Sequence, residues 1–184
     1  NETGNLTIEA NGAGDDAIKI IPDGAVELYY DNSKEFQTVA NGIELTSDTS
    51  ASGTEQTIYL SPTTTTDRSR SCSISGLNTD GNNNQALVFK TSAADTPAER
   101  LRITHGGEVR VPDNGKFTAG ASDDIQIYHD GSNSFISESG AGVLKISGSA
   151  GVYINKHDNS ETCAAFLHDA AVELYYDNVK QCET

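Results

Sequence analysis

The chain has 184 residues, a formal net charge of −15 and an apolar fraction of 35% without Gly, below the usual fraction of about 45–50%, a count that includes Gly. The acidic balance disfavours nucleic acid as a partner, because nucleic-acid binding needs basic patches, and the apolar runs are too short to span a membrane. We expect either a thin structure or a core shared between several chains, because a single chain with so few large apolar residues would struggle to bury a thick core. Low hydrophobicity with high charge is also typical of disorder, but the regular pattern of strands argues against disorder for most of the length.

Strand-like segments with alternating apolar residues recur about every ten residues along the chain. In one of them, Val26, Leu28 and Tyr30 share one face, while Glu27 and Tyr29 share the other. The alternation recurs at Ile43/Leu45, Leu101/Ile103, Val109/Val111, Ile125/Ile127, Leu144/Ile146 and Val152/Ile154. Turn-forming pairs separate these segments, at Asp23-Gly24, Asp31-Asn32, Asn41-Gly42, Asp80-Gly81, Gly106-Gly107, Asn114-Gly115 and Asp130-Gly131. The pattern predicts an all-β protein, since the best helix candidate, at residues 96–100, is one turn at most.

The sequence AVELYYDN occurs twice, at residues 25–32 and 171–178, an offset of 146 residues. The match continues on the N-terminal side, where residues 6–8 align with residues 152–154. A third, looser copy at residues 125–135 follows residues 26–36 at an offset of 99. Internal repetition indicates an array of similar units rather than one centred core. Here the unit is a strand, a tight polar turn and a second strand.

These repeats divide the chain into segments. Residues 1–46 and 123–150 are β repeat units, residues 86–122 form a further β segment, and residues 151–184 are a partial copy of the first unit. Because the copy stops part-way through the unit, we expect the chain to be a piece of a longer protein.

Residues 47–85 break this rhythm and are predicted to be a loop-like segment. They are rich in Ser, Thr, Asn and Gly, with strand-like islands only at residues 57–60 and 72–74. Function concentrates on loops, so Thr46–Gln85 is a candidate for outward contacts. The alternative is a solvated connection.

No motif arranges residues for catalysis: HExxH, P-loop and nucleophile-elbow patterns are missing from the sequence. Carboxylates at turns are explained by capping of backbone N–H groups, with calcium binding in those turns as the alternative. The histidines fall in separate units, at His105, His129, His157 and His168, which favours tolerated variation over a ligand set. We predict no catalytic, cofactor-binding or metal-binding residue, and hence no enzymatic activity.

Three cysteines are present. Cys163 and Cys182 replace Ala17 and Phe36 of the first copy, which manages without a disulfide at those positions. We interpret them as small buried thiols, with a Cys163–Cys182 bridge as the alternative. Cys72 stands alone.

Two stretches, GAVELYYDNSKEF at 24–36 followed by NGIELT at 41–46 and DIQIYHDGSNSFISESGAGVLKI at 124–146, resemble repeat units of a known family. The family comprises tail-fibre and appendage proteins of tailed bacteriophages, especially marine ones that infect cyanobacteria. Residues 98–103, with residues 107–109 shortly after, are similar to the ERMRI…G-V segment found ahead of the distal ends of many such fibres. The resemblance covers about two thirds of the chain and leaves Thr46–Gln85 largely outside it.

The resemblance implies parallel homotrimers with β-rich shafts that attach to host cell-surface sugars or proteins. The physical expectation agrees: three thin chains can pool their sparse aliphatic residues into one narrow core, and acidic outer faces then keep a long particle soluble. The predicted fold is therefore an all-β, elongated, repetitive fibre, an intertwined homotrimeric β-shaft of the β-prism or triple-β-helix kind. Its inward-facing residues are expected to be Val26, Leu28, Ile125, Ile127, Val172 and Leu174. The alternative is a single-chain sandwich, or an array whose core is internal.

The function expected from these observations is that of a structural virion fibre protein that carries or forms host-cell attachment. Its expected partners are further copies of itself, other virion proteins, and host surface glycans or proteins, without nucleic acid or membrane insertion. Host contacts are expected at Thr46–Gln85 and at the turn Asp130–Asn133. Two alternatives remain: a self-assembling microbial surface filament or adhesin, and a polysaccharide-degrading tailspike.

Overall fold

The computed structural model of the protein describes residues 4–9, 16–46, 51–61, 70–82, 84–93 and 95–184. In these residues the structure is all-β, with seventeen strands in four sheets and no α-helix. The predicted all-β class is therefore confirmed for the described part of the chain. None of these residues forms a helix with the length and hydrophobicity that a membrane span requires. The chain divides into two compact units, Asn1–Lys116 with His129–Ser132, and Phe117–Tyr128 with Asn133–Thr184.

The N-terminal sheet is an antiparallel meander in which each strand pairs with the next one along the chain. Its strands are β1 (Leu6–Glu9), β2 (Asp16–Ile20), β3 (Val26–Tyr30), β4 (Ser33–Val39) and β5 (Gly42–Leu45). Asp31 and Asn32 connect β3 to β4 with φ angles of 52° and 61°. A two-residue type I′ turn requires positive φ at both central positions, and Asp and Asn tolerate it.

A β-bulge follows that turn and fixes which side chains meet. Leu28 lies opposite Phe36, but Tyr29 lies opposite Lys34, so Glu35 is an extra residue on β4. The bulge places Lys34 on the same face as Tyr29 while Phe36 stays on the face of Leu28.

The central sheet has the strand order β10-β9-β8-β7-β6. Its strands are β6 (Glu55–Leu60), β7 (Cys72–Asn78), β8 (Gln85–Ala93), β9 (Thr96–Ile103) and β10 (Val109–Arg110). The strand-like islands at residues 57–60 and 72–74 are thus parts of two full strands, and the loop-like prediction is wrong for Glu55–Leu60 and Cys72–Asn78. Their Ser- and Thr-rich composition obscured strands whose pairing comes from each other and from β8. Residues 96–100, the best helix candidate, belong to β9, because pairing with β8 across a turn at Asp95 overrides their local preference.

The three-stranded sheet contains the third, looser copy of the repeat. Its strands are β11 (Lys116–Ala119), β12 (Ile125–His129) and β13 (Ser134–Glu138), with β12 in the middle. The predicted strand at Leu144/Ile146 is wrong, because residues 139–150 form no strand. Alternation alone does not make a strand where no neighbouring strand completes the ladder.

The four-stranded C-terminal sheet reproduces β1–β4 of the N-terminal sheet. Its strands are β14 (Gly151–Asn155), β15 (Thr162–Leu167), β16 (Val172–Tyr176) and β17 (Val179–Glu183). The bulge recurs, since Leu174 lies opposite Cys182 and Tyr175 lies opposite Lys180. The turn recurs too, with φ angles of 50° at Asp177 and 57° at Asn178. The prediction that both AVELYYDN copies adopt one local structure is confirmed.

Few apolar side chains are buried in the single chain. Among the described residues the buried apolar ones are small or medium in size: Ala86, Val88, Ala164 and Ala165. Strands in extensive contact are neighbours within one sheet. The sheet faces, rather than a shared interior, are therefore the dominant surfaces.

Candidate functional site

The N-terminal sheet has one continuous apolar face. Its register aligns a row of large side chains across all five strands, because residues directly opposite in an antiparallel pair lie on the same face. The row consists of Ile8, Ile18, Leu28, Phe36 and Leu45. Ile8 is 52% exposed and Leu28 39% exposed. We call this surface the N-terminal apolar face; none of these five residues is buried in the single chain.

The C-terminal sheet repeats the arrangement. The equivalent row is Ile154, Ala164, Leu174 and Cys182, and Phe166 lies between Val152 and Val172 in a second row. Leu174 is 49% exposed. This surface is the C-terminal apolar face. Four of the residues predicted to face inward, Val26, Leu28, Val172 and Leu174, therefore lie on apolar faces that are partly exposed to solvent. That they face the inside of an assembly stays a prediction.

An apolar cavity of about 400 Å³ opens on the C-terminal apolar face. Val152, Ile154 and Phe166 line it from the sheet, and Leu144 and Ile146 line it from the irregular segment before β14. These two residues, wrongly predicted as a strand, thus enlarge the apolar surface.

The opposite face of the N-terminal sheet carries a polar cluster centred on Glu27. The Tyr29 hydroxyl donates to Glu27 Oε2 at 2.6 Å, and Lys34 Nζ donates to Glu27 Oε1 at 3.1 Å. Glu27 is 7% exposed. The hydrogen bond from Tyr29, followed by the bond from Lys34, lowers the pKa of the Glu27 carboxyl below its ordinary value. Glu27 is thus held as a carboxylate between a hydroxyl and an ammonium group.

The C-terminal sheet contains the same cluster. The Tyr175 hydroxyl donates to Glu173 Oε2 at 2.5 Å, and Lys180 Nζ donates to Glu173 Oε1 at 3.3 Å. The hydrogen bond from Tyr175 lowers the pKa of Glu173, and the reciprocal effect raises the pKa of Tyr175. Lys180 also contacts Glu183, which together with Glu173 raises the pKa of the Lys180 ammonium. Two copies of one cluster indicate a structural role in holding the hairpin.

The third copy lacks this cluster. Gln126 and Asn133 stand where the first copy has Glu27 and Lys34. Tyr128 instead stacks on Phe135, with ring centroids 4.8 Å apart. A charged Glu–Tyr–Lys cluster is therefore not a requirement of every hairpin in this chain.

The central sheet buries a small polar face beneath long charged side chains. Val88 lies opposite both Ser75 and Arg102 in register, so the three share a face. Val88 is fully buried, and the buried Ser75 hydroxyl has no hydrogen-bond partner. On the same face Lys90 Nζ donates to both Glu55 oxygens, at 2.6 and 2.7 Å.

Two cavities open on this polar face. A cavity of about 260 Å³ lies beside the Lys90–Glu55 pair, and one of about 440 Å³ lies near the β9–β10 turn. Arg102 lines the larger one and donates to Glu99 from Nε at 3.0 Å and Nη2 at 2.6 Å, which raises the pKa of its guanidinium. Arg110 lines it too and contacts Glu108. We call this larger space the central cavity.

The histidines are not brought together. His105 lines the central cavity, and His168 Nδ1 lies 3.2 Å from Asp169 Oδ2 on an exposed loop. His129 ends β12, and His157 lies in the β14–β15 connection. In the part of the chain that the structure describes, no group of three or more His, Cys, Asp or Glu side chains is arranged to hold a metal ion.

Capping explains several turn carboxylates. The Ser132 N–H donates to Asp130 Oδ1 at 2.8 Å within the exposed turn Asp130–Asn133. The Asn82 N–H donates to Asp80 Oδ1 at 2.8 Å, and this bond lowers the pKa of Asp80. These are the Asx turns that the sequence predicted.

The cysteines are free. The buried-thiol prediction is wrong for Cys163 and Cys182 in the single chain, since both are exposed. A Cys163–Cys182 bridge does not form, because the two side chains lie on opposite faces of the sheet. Cys182 is on the C-terminal apolar face, and Cys163, the neighbour of Ala164 on β15, is on the other face. Strand β16 also separates the strands of the two cysteines. Cys182 stands where the first copy has Phe36, at a position that is exposed in the single chain.

No protein-family model matches the chain, and no curated protein and no solved structure gives a significant match. The arguments for function therefore come from the surfaces themselves. Two apolar faces are suited to association, and one polar cavity offers both charged groups and hydroxyls. Sequence reasoning missed the central cavity, although a signal existed: residues 70–116 hold six of the twelve basic residues.

Proposed function

We propose that the chain is a structural virion fibre protein that carries or forms host-cell attachment, and that it assembles as a homotrimer around its apolar faces. The observation that carries the proposal is the pair of uncovered apolar faces, related by the 146-residue repeat. Contiguous exposed apolar surfaces mark association sites in soluble proteins. The resemblance of the repeat units to phage tail fibres supports a viral setting.

The free energy of association would come from this apolar surface. Complete burial of one Val, Leu, Ile or Phe side chain is worth roughly 1.5–3 kcal/mol. Side chains such as Ile8, Leu28 and Leu174 retain between a third and two thirds of their exposure in the single chain. A trimer would bury the faces of three chains at once. The polar faces, with Glu27 and Glu173, would then lie outside, where net negative charge opposes lateral aggregation.

Analytical ultracentrifugation of the protein tests the assembly. The parent chain is expected to sediment as a trimer, and Leu28→Asp is expected to dissociate it, because the carboxylate would lie in an apolar interface. Thr7→Asp is the matched control, since Thr7 is on the other face of β1, opposite Lys19, and this variant is expected to remain trimeric. A monomeric parent would refute the proposal, as would a Leu28→Asp variant that assembles normally.

Immunogold electron microscopy tests the location. Antibodies against the chain are expected to label fibres projecting from tailed phage particles. Labelling of filaments on cells, with none on virions, would overturn the viral assignment. Catalysis is not part of the proposal: sustained release of new reducing ends from host polysaccharides would contradict it and favour a tailspike.

A self-assembling microbial filament or adhesin is the second candidate. The observation that favours it is the matching register of the two repeated sheets, which would let the N-terminal apolar face of one copy contact the C-terminal face of the next. Such a heterologous contact does not close on itself and produces open filaments. Negative-stain microscopy at increasing protein concentration separates the two: filaments that lengthen favour the adhesin, whereas particles of constant size favour the trimer.

A further inference from the structure

The basic residues are concentrated in the central sheet. The 47 residues 70–116 contain six of the twelve Lys and Arg residues and five Asp and Glu residues, whereas the whole chain has a net charge of −15. This part of an acidic protein is therefore close to neutral. An anionic ligand would meet less repulsion here than at either repeated sheet.

The central cavity lies in this region and has the size of a small-ligand site. Its volume is about 440 Å³, within the range of about 300–1,000 Å³ that is typical of ligand pockets. The 260 Å³ cavity on the same face of the sheet is lined by the mutually neutralised Lys90–Glu55 pair. The apolar cavity of the C-terminal sheet belongs to the surface already assigned to self-association.

Both cavity arginines retain donors for a ligand. Arg102 uses Nε and Nη2 toward Glu99, and a guanidinium has five N–H donors, so the Nη1 donors remain. Arg110 contacts Glu108 while its side chain stays 63% exposed. Two guanidinium groups at one cavity suit a planar carboxylate, which arginine binds through paired hydrogen bonds.

The remaining lining argues against a simple inorganic anion. Glu108 contributes a carboxylate to the same cavity, next to the hydroxyls of Thr79 and Thr104. The Thr104 hydroxyl accepts from the Glu108 N–H at 3.2 Å. A carboxylate repels an anion but accepts hydrogen bonds from hydroxyl groups. A ligand that fits both the two arginines and the Glu108 carboxylate carries one carboxylate and several hydroxyls.

We propose that the central cavity binds an acidic saccharide of the uronic-acid type. Its carboxylate is held by Arg102 and Arg110, and its ring hydroxyls donate to Glu108 and contact Thr79 and Thr104. This inference rests on the proposed attachment function and names its ligand class. Among the described residues that line the site there is no Phe, Tyr or Trp for a sugar ring to stack on, so one copy binds weakly, and copies joined in a trimer gain by multivalency.

Isothermal titration calorimetry of the full chain with tetragalacturonate tests the proposal. Binding in the millimolar range is expected, of the order seen for single weak sites, and it is expected to weaken with added salt because the contact is ionic. Cellotetraose, the neutral arm, is expected not to bind. A sulfated tetrasaccharide separates carboxylate recognition from general attraction to anions and is expected to bind more weakly.

Arg110→Gln is expected to reduce tetragalacturonate affinity about tenfold, as the loss of a charge-assisted hydrogen bond does. Arg100→Gln is the matched control. It also removes one positive charge, from β9, but Arg100 lines a different cavity. The affinity of this variant for tetragalacturonate is expected to be unchanged. Arg110→Lys, which keeps the charge and loses the paired geometry, is expected to be intermediate. Thermal melts of each variant establish that it is folded, as the exposure of Arg110 predicts.

Equal loss in the Arg100 and Arg110 variants would overturn the site, as would equal binding of the neutral or sulfated arm, or no binding of tetragalacturonate. The central cavity lies within one chain, so the oligomer is not needed to form it. A trimer found on virions that ignores the saccharide refutes this inference alone. Saccharide binding by a protein that is missing from virions refutes the virion assignment alone.

Discussion

The N-terminal and C-terminal sheets have nearly the same backbone but different apolar faces. The bulge, the type I′ turn and the Glu–Tyr–Lys cluster are present in both. A threonine hydroxyl accepts from a strand N–H in each, from Val26 to Thr38 at 2.9 Å and from Val172 to Thr184 at 3.1 Å. On the apolar side, by contrast, Ala164 replaces Ile18, and Cys182 replaces Phe36.

This difference indicates separate roles for the polar and the apolar residues of the repeat. In these two sheets the polar side chains and turn residues make their contacts within one chain and accompany the same strand register. Most residues of the apolar faces stay partly exposed in their own chain, although Ala164 is buried there. In the proposed assembly their sizes would matter mainly to the copy that packs against them, and variants that alter side-chain volume on one face test this.

The largest effect is expected from exchanging volumes between the two faces. In the proposed trimer, Ile18→Ala would leave a cavity and is expected to destabilise the assembly by about 2–5 kcal/mol per chain. Ala164→Ile overpacks the other face and is expected to cost about 1–3 kcal/mol. Urea unfolding monitored by circular dichroism, at protein concentrations where the parent is trimeric, measures both.

Thr7→Ala on the polar face is the control for these two variants and is expected to stay within about 0.5 kcal/mol of the parent. If all three variants stayed within about 0.5 kcal/mol of the parent's free energy of unfolding, the apolar faces would be covered by solvent rather than by another copy.

A smaller effect is expected at the repeated turn. Asn178 has a φ of 57°, its Oδ1 accepts from the Thr162 N–H at 3.2 Å, and its Nδ2 donates to the Ser160 carbonyl at 3.1 Å. Asn178→Ala loses these bonds and must hold a left-handed conformation, for a total of about 1–2 kcal/mol. Asn178→Gly keeps the φ angle and is expected to cost less. Thermal denaturation compares the two; an equal cost would assign the turn's stability to the side-chain bonds alone.

The smallest effect is expected from the acid sensitivity of the two clusters, because ion pairs near the surface are screened by solvent. The folded pKa values of Glu27 and Glu173 are lowered, so each contributes stability that is present above the unfolded pKa near 4.5 and is lost as pH falls through the folded value. The urea concentration at the unfolding midpoint is measured from pH 7 down to pH 3. It is expected to decrease once the pH is below about 4.5. Glu27→Gln and Glu173→Gln introduce the residue that the third copy carries at this position, and the double variant is expected to flatten the profile. A profile as steep as that of the parent would assign the acid sensitivity to other carboxylates.

Periodicity and turn chemistry predicted the strands of both repeated sheets, because alternation and Asp-Asn pairs are local signals. The central sheet was partly hidden, since Ser73 and Ser75 lie on its buried face, where the sequence gives no apolar alternation. The Leu144/Ile146 pair has alternation without a partner strand. The Glu27 cluster depends on a bulge at Glu35, and the central cavity depends on the pairing of β9 with β10. Neither can be read from residue spacing.

Cys182 gives the chain a chemical reporter of its own assembly. Its thiol lies on the C-terminal apolar face and is open to reagents in the single chain, as is the thiol of Cys163 on the other side of the sheet. Closure of the apolar face against other copies would shield Cys182 from a maleimide label and leave Cys163 reactive. The ratio of labelling at the two sites, read by mass spectrometry, would then follow dissociation on dilution without any engineered probe.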